Sequence, residues 1–190
     1  MVYVNEHTDL LDIESALILV SAQRREQALK FKHEEGRRLS LAVYILLMEG
    51  LKKEYGITEA PIFDYTNEGK PFIANRPDIH FSLSHSKNVA LCAIGDQPIG
   101  ADVETSRNIS PSLINYTMSE NEQEQIYASS NRTMQFLHFW TRKEALLKLT
   151  GEGIRNNMKN VLDEAEKYHF ETIKKENYIY SIVKNKTYNL

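Results

Sequence analysis

The sequence predicts an α+β fold built as two similar halves. Three observations carry this. Hydrophobic periodicity passes from a helical to an alternating pattern twice along the chain. The alternating stretches are joined by short turns of Gly, Pro, Asn and Asp, as in antiparallel strands. Each half runs helix first and sheet second, although no strong sequence repeat accompanies the duplication. The 190 residues suffice for one substantial core or for two small halves sharing one. The expected boundary gives an N-terminal half of residues 1–104 and a C-terminal half of 105–190.

In chain order, Val2 to Val4 suits a short strand, and residues 11–21 fit helix or strand. A strongly charged run, QRREQALKFKHEEGRR, follows from Gln23. LSLAVYILLMEGLKKEY predicts a helix from about Leu39 to Tyr55, with Gly56 as its C-cap. PIFDY, IHFSL, NVALCAI and IGADVE then read as strands of an antiparallel meander packed on that helix. SRNISP is a polar linker into the second half. SENEQEQIYAS predicts a helix with Ser119 as N-cap and Glu122 three residues on. A longer helix spans roughly Thr133 to Leu149, and YHFETI and YIYSIV close the chain as strands.

Composition excludes several classes. Hydrophobic content of 42% and charged content of 26% suit a globular chain rather than a disordered one. A net charge of -3 gives no footing for general polyanion binding, so nucleic acid is not an expected partner. No apolar run reaches about 18 residues, and MVYVNEHTDL lacks the basic and apolar regions of a signal peptide. Membrane spanning and export are therefore not expected, and a cytoplasmic protein fits. The single cysteine, Cys92 in VALCAIG, suits a buried core thiol.

Two stretches point to chemistry. In IGADVE the two-residue period places Asp102 and Glu104 on one face of a strand. Two converging carboxylates repel unless a cation offsets them, although for the hexapeptide alone a half-exposed acidic strand is the better explanation. In FWTRKEALLKL, Trp140, Glu144 and Lys148 share one helical face. The plain alternative is a surface Glu144–Lys148 pair beside a core tryptophan. If helix and strand cross, three carboxylates meet, a hard-oxygen set that suits Mg²⁺. FSLSHS adds Ser84 and His85 at a strand end, where hydroxyl, imidazole and loop amides can grip a phosphate. A Ser–His nucleophile is disfavoured there, because adjacent residues on a strand point apart and no nucleophile elbow is present. GKP, residues 69–71, lacks Walker spacing, yet Lys70 can meet an anion if its turn faces the site. In the charged run, Arg24, Arg25, Lys30, Lys32, Arg37 and Arg38 suit mostly solvated surface, and some of them can form the rim of an anion pocket. The histidines show no zinc spacing.

In order, GKP, FSLSHS, PIGADVE and FWTRKEALLK resemble the 4'-phosphopantetheinyl transferases, specifically the larger, pseudo-dimeric, surfactin-synthetase-activating type. The resemblance runs from about Arg24 to Lys148. It implies the 4'-phosphopantetheinyl transferase fold, with halves related by pseudo-twofold symmetry, a monomer, and an active site between the halves. It implies Mg²⁺-dependent transfer of the phosphopantetheine arm of coenzyme A to a serine of an apo acyl or peptidyl carrier protein, releasing 3',5'-ADP. By the same resemblance Asp102, Glu104 and Glu144 match magnesium-binding acids and Lys148 a lysine near the transferred phosphate. Ser84, His85, Lys70, Arg24 and Arg38 match the coenzyme A side of the site, with His85 and Arg24 near the 3'-phosphate. Glu122 matches a further acid, so the proton acceptor is Glu144, Glu122 or a metal-bound water. Gln27 departs from relatives with a second basic residue there. Ile109, Leu113, Ile114 and Met118 in the linker are candidates for apolar carrier contacts, or cap the core. A different Mg²⁺-dependent nucleotide phosphohydrolase, a non-catalytic coenzyme A-binding domain and a purely structural protein are the alternatives.

Overall fold

The computed structural model describes residues 1–153 and 158–186. The chain divides into two compact units, Met1–Pro98 and Ile99–Leu190.

In the first unit β1 (Val2–Asn5) leads into α1 (Ile13–Leu19), so the ambiguous stretch is helical. Asp12 caps α1 by accepting the Ser15 amide at 2.9 Å. The charged run contains a second helix, α2 (Ala22–Leu29), capped by the Ser21 hydroxyl. Then comes α3 (Glu34–Tyr55), which starts earlier than Leu39. Glu34 and Glu35 in its first turn and Lys52 and Lys53 in its last complement the helix dipole. Gly56, at φ 68°, closes it in the left-handed conformation expected of a C-cap glycine. β2 (Phe63–Tyr65) and β3 (Pro71–Ile73) form a separate hairpin. β4 (His80–Ser86) and β5 (Val89–Gly95) pair antiparallel, and β1 covers the other edge of β5. Leu41, Leu47 and Leu51 of α3 join Ala90, Cys92 and Ile94 of β5 in one core. Cys92 is fully buried, and burial pushes its thiol up.

The second unit opens on β6 (Ile99–Thr105). The expected four-strand meander is thereby corrected. β1 already occupies the free edge of β5, so the chain after Pro98 starts a new sheet instead of extending the old one. Three helices follow: α4 (Pro111–Thr117), α5 (Glu120–Ala128) and α6 (Arg132–Thr150). α4 lies within the expected linker region, initiated by Ser110 with Pro111 at the first helical position. β7 (Tyr168–Lys174) and β8 (Tyr178–Asn185) complete a sheet of order β6-β8-β7. Each unit therefore places its first strand beside its last, with the penultimate strand outside, and carries one long helix in the connection. No helix of the described residues is long and apolar enough to cross a membrane.

Two buried polar contacts fix α6. Thr141 and Ser181 exchange a 2.8 Å hydroxyl contact, and Thr172 reaches Ser181 at 2.9 Å, joining the helix to β8 and β7. Lys143, 0% exposed, donates to Glu122 Oε2 at 2.6 Å, Thr117 O at 3.0 Å and Met158 O at 2.8 Å. Glu122 completes the expected capping box and also accepts the Ser119 amide at 2.7 Å. One ammonium thus joins the end of α4, the start of α5 and the segment after α6. Burial pulls Lys143 below its ordinary value, and Glu122 opposes that shift.

Removing one partner of such a pair strands the other charge. Lys143→Met is expected to lower unfolding free energy by about 3–5 kcal/mol in urea melts. The double variant Lys143→Met/Glu122→Gln should recover part of that loss, and an unrecovered loss would show that packing, not charge, dominates.

Candidate active site

The site in the second unit begins with a missing side chain. A Cβ on Gly100 would stand 2.0 Å from Ala145 O and 2.7 Å from Leu149 N. Both are backbone atoms, so nothing can rotate away. The glycine lets β6 and α6 touch main chain to main chain. The chemistry is arranged around that contact: Asp102 lies two residues along the strand on the same face, and Glu144 and Lys148 each precede a contacted residue on the helix.

The crossing that the sequence left conditional is present. Asp102 is 5% exposed and accepts Lys148 Nζ at 2.7 Å. Lys148 thus reaches across to the strand rather than pairing with Glu144 on its own helix. Glu104 is half-buried and meets Arg107 at 3.4 Å. Glu144 is half-buried, and its Oε1 has no solvent exposure and no hydrogen-bond partner. Burial, then the charge of Asp102, and more weakly that of Glu104, push the Glu144 carboxyl up to about 7 against the opposing pull of Lys148. Trp140 stacks on Phe136 with centroids 5.7 Å apart and belongs to the core, as its plain explanation had it.

Among the described residues no three His, Cys, Asp or Glu side chains are gathered closely enough to hold a metal ion as they stand. The donor chemistry still fits a hard divalent cation. A buried carboxylate oxygen without a partner is costly, and a proton or a cation relieves it. The Lys148 ammonium already compensates part of the charge at Asp102.

The remaining candidates are placed as follows. Glu122 is committed to Lys143 and to its helix cap, and it is not among the charges acting on Glu144. In the first unit, Ser84 is buried and His85 exposed near the end of β4. The Arg24 guanidinium lies over Tyr44 and Phe63, 4.9 and 5.3 Å from the ring centroids, and donates to Ser40 Oγ at 3.1 Å. No carboxylate pairs with it among the described residues. Arg38 is engaged by Glu34 at 3.1 Å and by the Leu11 carbonyl at 3.3 Å. Lys70 is half-buried, which pulls its ammonium down. Gln27 donates to the Tyr65 hydroxyl at 2.9 Å. The linker set is corrected: Ile114 and Met118 are buried, with Ile109 and Leu113 packed against the same core, while Tyr116 is the exposed member of α4 at 65%.

Gly100 and Lys143 were not singled out in the sequence. A glycine inside an apolar strand is a signal for close backbone approach, and a lysine between Arg and Glu on a helix is not distinguishable from a surface one.

An α+β unit with acids on a strand and a crossing helix, and a lysine bridging them, defines a class of charge-handling sites rather than a particular reaction. Comparison narrows it. Residues 98–187 match the model of the 4'-phosphopantetheinyl transferase superfamily. The chain is 30% identical over 156 residues to "4'-phosphopantetheinyl transferase Sfp" of Bacillus subtilis (strain 168), covering 80% of this chain and 70% of that protein. It is 31% identical, with the same coverage, to a 4'-phosphopantetheinyl transferase of Bacillus subtilis. It is 34% identical to "4'-phosphopantetheinyl transferase HetI" of Nostoc sp. over 77% of this chain and 65% of that protein. The chain belongs to the 4'-phosphopantetheinyl transferase superfamily.

Two outcomes test the geometry. Gly100→Ala should drive α6 off β6 and cost about 1–3 kcal/mol of stability. Misplacement of Glu144 and Lys148 should lower turnover on the order of 10²-fold at temperatures where the variant is folded. Unchanged turnover in the folded variant would show the crossing tolerates the shift. The second concerns pH. Glu144 holds its proton more tightly folded, near 7, than at its ordinary 4.5. Between those values the unfolded chain binds fewer protons, so without divalent cation this carboxyl's contribution to stability is full below about 4.5 and is lost as pH rises through 7. In EDTA, Glu144→Gln should therefore melt higher than the parent at pH 8 and equally at pH 4. Mg²⁺ should raise the parent's melting temperature at pH 8 and leave the variant's unchanged.

Proposed function

We propose that this transferase moves the 4'-phosphopantetheine arm of coenzyme A to a serine hydroxyl of an apo acyl or peptidyl carrier protein, releasing 3',5'-ADP. The observation that carries the chemistry is Glu144. A buried, unbonded carboxylate oxygen beside a second acid is built to accept a positive charge.

Asp102, Glu144 and Glu104 are the residues that would hold Mg²⁺, which when bound neutralises the coenzyme A pyrophosphate. The chain's own groups do the rest. Serine oxygen attacks the β-phosphorus, the bond from that phosphorus to the bridging oxygen breaks, and the electron pair leaves with 3',5'-ADP. The serine proton passes to Glu144, which carries a buried oxygen without a hydrogen-bond partner. Lys148, held at Asp102 but still reached by solvent, supplies positive charge to the departing phosphate. Glu122 has its carboxylate tied to Lys143, which favours a positioning role over proton transfer. On the coenzyme A side, Arg24 presents a planar guanidinium without a carboxylate, a donor suited to the 3'-phosphate. His85, exposed at the end of β4, and Ser84, Lys70 and Arg38 complete that set. The chain acts as a monomer in the cytoplasm.

Intact mass of an apo-carrier after incubation with coenzyme A and Mg²⁺ tests the reaction. The expected result is a gain of one phosphopantetheine arm, with Glu144→Gln slower by on the order of 10²–10³-fold. Nucleotide release without carrier modification would instead indicate a hydrolase.

A further inference from the structure

A second cluster of charge lies in the same unit, in a cleft whose lining includes none of Asp102, Glu104, Glu144 and Lys148. A cleft of about 360 Å³ opens between α5, α6 and the segment around Lys159–Asp163. That is near the lower end of the range of about 300–1,000 Å³ usual for small-molecule sites. His138 and Arg142, one turn apart on α6, line it together with Lys159. None of the three has a carboxylate partner among the described residues. The Arg142 guanidinium lies over the Phe170 ring, 4.2 Å from its centroid, a contact that leaves its N–H groups to other partners. His138 Nδ1 is buried and has no hydrogen-bond partner. The acids that line the cleft are already engaged: Glu122 by Lys143 at 2.6 Å and Asp163 by Asn160 at 2.7 Å.

We propose that this cleft binds an oxyanion of the phosphate class, held by Arg142 and Lys159 with His138 as a further polar contact. A partly buried guanidinium stacked on an aromatic ring and lacking a carboxylate is a preorganised fork for a tetrahedral anion. The surroundings agree. Burial first, then the charges of Arg142 and Lys174, hold the His138 imidazole down to about 4, so two cations act on it, while Asp163, bonded to the neutral Asn160 amide, keeps its negative charge at the rim. The lining includes neither the metal-type acids nor Arg24 and His85.

Inorganic phosphate is the probe, read at neutral pH from the imidazole resonances of His138 in the full chain. His138→Gln supplies the assignment, and the exposed His169 serves as control. Phosphate should shift the His138 signals saturably while His169 drifts only with ionic strength. Arg142→Gln should weaken that response by about tenfold or more. Lys159→Gln, at an exposed position, should weaken it less and gives a usable variant if Arg142→Gln fails to fold. Coenzyme A in place of phosphate separates the sources: a shift of His138 by coenzyme A at lower concentration assigns the cleft to a phosphate carried on that ligand. A shift by phosphate alone assigns it to the free anion. A His138 signal that moves with neither, or moves equally in Arg142→Gln and Lys159→Gln, overturns the site.

Discussion

The contact between β6 and α6 at Gly100 governs the candidate site of the second unit. Elements packed face to face are normally held apart by the side chains that fill the gap between their backbones. Here the strand offers no Cβ, and the carbonyl of Ala145 sits where one would stand. The helix is thereby brought close enough for a lysine on α6 to bond an aspartate on β6 at 2.7 Å. The same approach puts Glu144 within reach of the field of Asp102. Without it, the acids of the strand and the helix would belong to two solvated surfaces.

Close approach alone leaves a helix free to slide or roll. The buried hydroxyl chain Thr141–Ser181–Thr172 restrains it on the sheet side, and Lys143 restrains it on the side of α4 and α5. Consecutive residues on α6 therefore have opposite duties. Lys143 is a cation consumed by structure, satisfied by three strong acceptors. Glu144, about 100° round the helix, is an anion left unsatisfied. The stability held in the first supports the cost of the second, the usual relation between a strained functional group and its scaffold.

The long elements were legible because their signals are local. The period of α3, its Gly56 cap, the Ser119–Glu122 capping box and the β4–β5 hairpin all follow from neighbouring residues. Sheet membership was not. IGADVE reads as the continuation of a meander, and only the competition of β1 for the edge of β5 sends it to β8. The helices α2 and α4 were obscured for a related reason. One is polar on most of its surface and the other lasts barely two turns, so their stability comes from tertiary contacts rather than propensity. Of the candidate site, Asp102 and Glu104 on one face, and Glu144 with Lys148 on another, were readable from spacing. That Lys148 would choose Asp102 over Glu144 depended on the helix crossing, which spacing does not encode.

Glu122 shows why residue type and approximate position are insufficient to assign a role. By resemblance it matches a further acid of the site, and as a capping-box residue it also has a local explanation. In the fold its Oε2 takes both the Ser119 amide and the Lys143 ammonium, so its charge is already compensated. An acid that already neutralises a buried cation is a poor acceptor for a substrate proton, since protonation would leave Lys143 buried without its counter-charge. Glu144 has the opposite arrangement: burial and a neighbouring acid raise its proton affinity, and no structural cation depends on its charge except Lys148, which Asp102 already holds. The division of labour between the two glutamates follows from which lysine each one faces.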